Sequence, residues 1–212
     1  MLLAGRPVAQ FYDDVVGALD ELGVHVQLST LPSEIEAPVR FEDDLVDRDY
    51  DPDAVRRWWQ AMLSTERVIT RYRSPFHGKS SPVLFYWGGF DLDHSRFSGR
   101  NLTPPTSGPT REFGEDQENF AVGFWPGSTQ SPEPVLYAYP SPAPEGLAQA
   151  RIAPPQSRWE PAVGEFLLPY EQARQAPSPD DVVAEFFRSI DDVSANLAAW
   201  NRAGLEGHTP RD

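Results

Sequence analysis

Cysteine is absent from this chain of 212 residues. Its absence excludes thiolate zinc sites, iron–sulfur ligation and a cysteine nucleophile, and it agrees with a reducing compartment. A chain of this length buries about 70% of its unfolded surface, so it needs neither disulfides nor a metal to fold. We therefore expect a cytoplasmic protein with an apolar core and no cofactor.

Long apolar runs and an excess of basic charge are missing too. The longest unbroken apolar runs, such as Val83 to Trp87, have five residues, far below the roughly 20 residues of a membrane span. The apolar start of the chain is too short for a signal peptide. The net charge is −14, from 18 basic and 32 acidic residues, and such a charge repels nucleic acid phosphates and anionic lipids. We predict neither nucleic acid nor a membrane as a partner.

Lysine is nearly absent, since Lys79 stands alone against 17 arginines. A lysine can lose its proton when buried, act as a base or Schiff-base nucleophile, or offer a compact point charge, none of which arginine does well. We predict a catalytic role for Lys79. Chance, or a charge at a helix end, is the alternative.

The few positive charges are clustered. Residues 34–53 carry nine carboxylates against two arginines, which is typical of a solvated face, whereas residues 67–100 carry six basic side chains against two acidic ones. The second segment is where a small anionic ligand would bind. Around it we predict a site with three catalytic residues, Lys79, Asp91 and Glu118. Its predicted ligand-binding residues are His77, Arg96, Arg100, Trp87 and Trp125.

Known motifs do not explain this segment. Gly78-Lys79-Ser80 resembles the end of a phosphate-binding loop, but Arg73 stands where that motif needs glycine. Asp91 and Asp93 beside His94 could seat a divalent cation, yet paired carboxylates in a turn are usually turn formers. We predict no metal site.

Three helices are indicated by apolar residues at i, i+3 and i+4 spacing. The first begins at Pro7 and ends at Gly23, and the second is capped by Asp51 with Pro52 in its first turn and ends before Pro75. The third is capped by Ser178 and ends at Gly204.

Strands are predicted between these helices. Val24 to Leu28 alternates with period two, which is typical of a half-buried strand. Further predicted strands are Val83 to Trp87, read as a core strand, 120–125, 135–139 and 165–168, with a long proline-rich loop at 141–162. We predict one α+β domain over residues 1–205, a mostly antiparallel sheet packed by three main helices, followed by a polar tail at 206–212.

Several segments together resemble an uncharacterised bacterial family, domain of unknown function 5996, over nearly the whole chain. The matching segments begin with "RPVAQFY", "FEDD", "YDP" and "GKSSPV". They continue with "FDL", "RFSGR", "GFWPG" and "EFLLPY". The resemblance names relatives and implies no reaction.

Two departures from the family pattern bear on function. The pattern has histidines at three positions where this chain has Asp47, Leu84 and Gln117. If these histidines form a metal or acid–base cluster in relatives, this member has lost or changed that activity. Family members also look longer at the front, which favours a misplaced start or a truncated paralogue. Otherwise an uncovered sheet edge would be covered by a second chain in a homodimer.

Two functions remain open at this point. The first is a small-molecule enzyme or binding protein for an anionic ligand, inactive in this member if the histidines are essential. The second is a non-catalytic interaction or scaffold protein, in which the same motifs only support turns and packing.

Overall fold

The structure is a computed structural model that describes residues 3, 5–32, 37–103, 116–128 and 131–207. The chain divides into two compact units, Met1–Trp59 and Gln60–Asp212. The predicted domain bounds, 1–205 with a tail at 206–212, stay a prediction.

The first unit is built on helix α1, Val8–Glu21, which confirms the first predicted helix. Gly23 follows it at a φ of 73°, a left-handed conformation that glycine adopts without strain. A short 3₁₀ helix, Phe41–Asp43, packs beside α1, with the Tyr12 and Phe41 ring centroids 5.9 Å apart.

The predicted strand at Val24 to Leu28 is wrong. This segment has no regular structure, and Val24, Val26 and Leu28 are 45%, 42% and 48% exposed. Alternating apolar residues make a strand only where another strand edge accepts their backbone hydrogen bonds. Among the described residues no strand pairs with this segment.

Helix α2, Pro52–Arg73, confirms the second predicted helix. The Asp51 carboxylate accepts hydrogen bonds from the amides of Asp53 and Ala54 at 2.9 and 3.0 Å, so it caps the first turn as expected. The helix ends before Pro75, whose ring cannot continue it.

The second unit contains a six-stranded antiparallel sheet in the order β1-β2-β3-β4-β6-β5. With the helices it confirms the α+β class. The strands are β1 Leu84–Tyr86, β2 Asp91–Asn101, β3 Gln117–Trp125, β4 Val135–Ser141, β5 Arg158–Glu160 and β6 Glu165–Pro169.

Two of these strands were not predicted. Strand β2 is the longest of the six, yet it is polar on both sides and has no apolar alternation to reveal it. Strand β5 lies inside the segment predicted as a loop.

The predicted core strand at Val83 to Trp87 is wrong in its burial. Strand β1 is the last strand at one side of the sheet, and Leu84, Tyr86 and Trp87 are 36%, 49% and 76% exposed. An apolar run indicates a strand, but the strand is buried only where other parts of the protein pack around it, and an edge strand has a neighbouring strand on one side only.

Helix α4, Pro179–Leu197, packs against β3 and β4 and supplies the centre of the core with Phe186, Phe187 and Ile190. It ends at Leu197 and not at Gly204, because Ala199 turns the chain with a φ of 52°. Two short helices flank it, α3 Tyr170–Arg174 and α5 Arg202–Leu205.

Candidate functional site

Strand β2 sends alternate side chains to the two faces of the sheet. Asp91 and Asp93 belong to one side, which we call the pocket face. His94 and Arg96 belong to the other, which we call the helix face because α2 and α4 supply its packing partners. One strand therefore contributes to two separate polar environments.

On the pocket face a tyrosine crosses a neighbouring strand to reach the two aspartates. Tyr137 of β4 lies opposite Gly123 of β3, which lies opposite Asp93 of β2. A Cβ atom on Gly123 would lie 2.2 Å from Cζ of Tyr137 and 2.1 Å from the carbonyl oxygen of Leu92. Only glycine leaves room for this crossing.

The Tyr137 hydroxyl is surrounded by three acceptors. It lies 2.9 Å from Oδ2 of Asp91, 2.9 Å from the carbonyl oxygen of Leu92 and 3.3 Å from Oδ2 of Asp93. The hydroxyl has a single proton and can donate fully to one of them. A proton on one of the carboxyl groups could be donated to the hydroxyl oxygen and would satisfy a second of the three contacts, so the cluster is suited to holding a proton.

Burial and like charges favour the protonated carboxyl forms here. Burial, with the charge of Asp91 adding to it, raises the pKa of Asp93 to about 6, although hydrogen bonds from Ser95 and Tyr137 oppose the shift. Burial and the charges of Asp91 and Asp93 raise the pKa of Glu165 to about 7. These groups therefore exchange protons close to neutral pH.

A cavity of about 470 Å³ lies on the pocket face. Its polar wall includes Asp91, Glu160, Glu165 and Arg158, and aromatic walls stand beside them. The aromatic and aliphatic lining residues are Trp125, Tyr137, Tyr139, Val135, Val163 and Leu167.

On the helix face the charges are paired. Arg96 and Asp191 of α4 form a fully buried ion pair at 2.6 Å, and the Tyr72 hydroxyl donates to the same carboxylate at 2.8 Å. The Arg96 guanidinium also donates to the Tyr72 carbonyl and lies 3.6 Å from the centroid of its ring. These contacts give Arg96 a structural role that holds α2 and α4 on the sheet.

His94 is buried beside this ion pair. Its Nδ1 lies 3.0 Å from the carbonyl oxygen of Ser81, and its ring meets Tyr72 edge-on with centroids 6.1 Å apart. Burial, together with the charge of Arg96, lowers the pKa of His94 to about 4. His94 is therefore a neutral core residue at neutral pH.

The other predicted site residues lie apart from the cavity. Arg100 donates to Glu118 at 2.6 Å and to the carbonyl of Ala198, so it ties β2 and β3 to the end of α4. Lys79 donates to Gln117 at 2.7 Å and lies 4.4 Å from the Phe97 ring centroid.

Two further predicted ligand-binding residues are exposed. The His77 amide donates to the carbonyl of Leu205 at 2.6 Å beside Gly207, so its backbone closes the C-terminal segment onto the unit. Trp87 follows the exposed edge strand β1.

The structure brings Asp91 and Trp125 to the cavity wall, whereas Lys79, His77, Trp87, Arg96, Arg100 and Glu118 are not among its lining residues. The predicted catalytic and binding roles stay predictions. Sequence reasoning missed Tyr137 and Glu165, and the available signal was Gly123 inside a strand, which is typical of a close approach.

Two of the positions that depart from the family pattern lie in strands of the same sheet. Leu84 lies opposite Asp93 in the register, and Gln117 lies opposite Asn101. The hypothesis that their side chains replace essential histidines stays a prediction.

Within the described part of the chain, no group of three or more His, Asp or Glu side chains has an arrangement that could hold a metal ion. Within the same residues, every helix is too short or too polar to cross a membrane.

Comparison with known proteins gives one match. A family model described as a family of unknown function (DUF5996) matches residues 1–207. The match confirms the resemblance drawn from the motifs. The chain matches no curated protein and no solved structure.

Proposed function

This chain belongs to the DUF5996 family of unknown function, and we propose from its own geometry that it is a small-molecule enzyme or binding protein. The pocket-face cavity is its site, and its ligand carries a positive charge on an apolar body. The observation that carries this proposal is the convergence of two aspartates on the Tyr137 hydroxyl at the wall of an aromatic cavity.

The charge of the cavity supports a cationic ligand. Asp91, Glu160 and Glu165 line it, and Arg158 is the single cationic side chain among its described lining residues. A cation entering the site would relieve the repulsion between the carboxylates and could lie against the face of Trp125.

This proposal differs from the anionic ligand expected from the sequence, which stays a prediction. That expectation depended on the positive charges of residues 67–100. Arg96 and Arg100 are held in pairs with Asp191 and Glu118, and Lys79 contacts Gln117 and Phe97. Their charges therefore serve contacts within the protein.

Proton transfer is the chemistry that the cavity wall could supply. Glu165 stands at the wall with its pKa raised to about 7 by burial and by the two aspartates. A carboxyl group that titrates near the working pH serves well as a general acid or base. If the protein is an enzyme, Glu165 is our candidate for that role.

The test compares three probes of similar shape by isothermal titration calorimetry and thermal shift: 2-phenylethylamine, 2-phenylethanol and 3-phenylpropanoate. We expect the amine to bind best, and Asp91→Asn to weaken it about tenfold because an ionic contact is lost. Glu185→Gln, on the exposed side of α4 and outside this cavity, is the matched control and should leave binding unchanged.

The outcomes separate the parts of the proposal. Preference for the carboxylate would overturn the ligand charge and leave the site in place. Binding that survives Asp91→Asn and Glu165→Gln together would move the site elsewhere. If no probe binds, and a fragment screen by protein NMR also shifts none of the cavity residues, the cavity is not a ligand site.

A non-catalytic interaction protein is the second candidate. The paired state of Arg96 and Arg100 favours it, since both serve packing. Under this alternative Asp91→Asn and Glu165→Gln change stability only, and no small molecule raises the melting temperature.

A further inference from the structure

The two edges of the sheet differ in their protection. Strand β5 forms one edge and has Arg158 and Glu160 at its two ends, with Arg158 exposed. Charged side chains on an edge strand discourage pairing with another strand, since a pairing chain would have to desolvate them.

Strand β1 forms the other edge, and none of its own residues is charged. Residues 82–90 contain no charged side chain, in a chain of which 24% of residues are charged. Leu84, Tyr86 and Trp87 are exposed along this edge, and among the described strands β1 pairs only with β2.

We propose that a second copy of this chain pairs with β1, strand against strand in antiparallel orientation, so that the two sheets become continuous. This inference is independent of the ligand proposed for the cavity. It assigns to the apolar edge one occupant, the same edge of another molecule.

Symmetry and charge both favour a second copy. Two identical strands related by a two-fold axis are antiparallel, which is the orientation of every pairing already present in the sheet. Each chain carries a net charge of −14, so two copies repel each other over most of their surface. The uncharged edge is a place where they can meet without opposing carboxylates.

The side chains of β1 would also match across the axis. If the axis passes through Phe85, Leu84 of one copy lies opposite Tyr86 of the other. Leu84 and Tyr86 share a face of the sheet with Asp93 and Asp91, their partners in the register. The apolar pairs would then extend the pocket face outward.

Sedimentation velocity of the full chain over a concentration series tests the proposal. We expect a dimer in the wild type and at least a tenfold weaker association in Tyr86→Lys, because each new ammonium group would lie opposite Leu84 of the other copy and would have to be desolvated on pairing. The new lysine would stand beside Asp91, where a positive charge is favourable, so the fold should be kept. Leu22→Lys is the matched control, since Leu22 is 78% exposed, directly follows α1 and lies outside the cavity lining.

A cysteine crosslink gives a second measurement that does not depend on weakening the contact. The chain has no cysteine, so Phe85→Cys introduces the single thiol. Opposed residues in an antiparallel pair have Cα atoms about 4.5–5.5 Å apart, within the range that a disulfide spans. Mild oxidation should yield a covalent dimer from Phe85→Cys and none from Leu22→Cys.

Three results would overturn the proposal. The first is a wild type that stays monomeric at every concentration and gives no crosslink. The second is a dimer that Tyr86→Lys leaves intact. The third is equal crosslinking of Phe85→Cys and Leu22→Cys, which would show random collision.

Discussion

The two faces of the sheet use charged residues in opposite ways. On the helix face Arg96 meets the opposite charge of Asp191, both are buried, and the Tyr72 hydroxyl donates a further hydrogen bond to the carboxylate. On the pocket face Asp91 and Asp93 converge with like charge on Tyr137. The first arrangement supports the fold, whereas the second destabilises the charged state and is typical of a functional site.

The largest expected effect comes from breaking the ion pair of the helix face. Arg96→Met leaves the Asp191 carboxylate buried without its cation, and we expect a loss of about 3–5 kcal/mol in the free energy of unfolding. Urea unfolding measures it. The double variant Arg96→Met/Asp191→Leu removes both charges and should recover most of the loss. A loss below about 1 kcal/mol in the single variant would show that the pair is not structural.

The two faces should also respond to pH with opposite signs. The pKa of Asp93 is about 6 in the folded chain against 3.8 for an ordinary aspartate, so the folded state binds more protons between these values. Stability is then lost as the pH rises from about 4 to about 6. The pKa of His94 is lowered from 6.5 to about 4, so its contribution instead increases as the pH rises from about 4 to 6.5.

Single variants separate these two contributions. Asp93→Asn should gain stability relative to wild type by roughly 3 kcal/mol between pH 4 and pH 8, as an upper bound. His94→Asn should lose the increase in stability that His94 contributes as the pH rises from about 4 to 6.5. Urea unfolding at several pH values measures both, and parallel curves for Asp93→Asn and the wild type would contradict the assignment.

A smaller effect is expected where Tyr137 crosses β3. Gly123→Ala introduces a methyl group 2.2 Å from the tyrosine ring, and overpacking of this kind costs about 1–3 kcal/mol. Thermal unfolding measures the loss. Gly164→Ala serves as the glycine control. Its added methyl group would meet open space, so any loss of stability comes from the backbone φ of 76° and not from a clash. If the NMR chemical shifts of the Tyr137 ring were the same in the wild type and in Gly123→Ala, the ring would not cross over residue 123.

Removing the Tyr137 hydroxyl should cost about 1 kcal/mol of stability and change the titration of the pocket face. Because the hydrogen bond from Tyr137 lowers the pKa of Asp93, Tyr137→Phe should raise that pKa further. NMR of carboxyl carbons measures it, with Tyr139→Phe as the matched control on the same strand. An unchanged Asp93 titration would show that the hydroxyl does not donate to this group.

The smallest effect is expected at Lys79. Its contacts with Gln117 and the Phe97 ring are exposed, so Lys79→Met should cost at most about 1 kcal/mol and should leave amine binding unchanged. Calorimetry and urea unfolding measure the two quantities. Lys79→Arg keeps the charge, and a loss of ligand binding in both variants would support the functional role of Lys79 predicted from the sequence.

The sequence allowed the helices and most strands to be predicted, because their apolar spacing and caps are local signals. It did not reveal β2, whose polar side chains are satisfied by partners distant in sequence, among them Asp191 for Arg96 and Tyr137 for Asp91. Without that strand Asp91 and Arg96 looked like members of one site. Once residues 91–101 are known to form one strand, the odd number of Asp91 and the even number of Arg96 place the two side chains on opposite faces of the sheet.

The cavity could be predicted only in part for the same reason. Asp91 and Trp125 were chosen from their residue types, but Glu165 and Tyr137 become neighbours through the strand order and register. Those pairings depend on contacts between distant segments, and a single sequence does not state them.

The crossing of Tyr137 over Gly123 couples two positions that lie on different strands. A side chain at 123 would compete with the ring at 137 and also with the backbone carbonyl oxygen of Leu92, 2.1 Å from its Cβ atom. A smaller residue at 137 removes only the first of these two clashes, so the dependence runs one way: the ring at 137 requires glycine at 123, but glycine at 123 does not require the ring. In laboratory evolution of this chain, position 137 should change while Gly123 stays fixed, and Gly123→Ala should stay destabilising even in a Tyr137→Ala background.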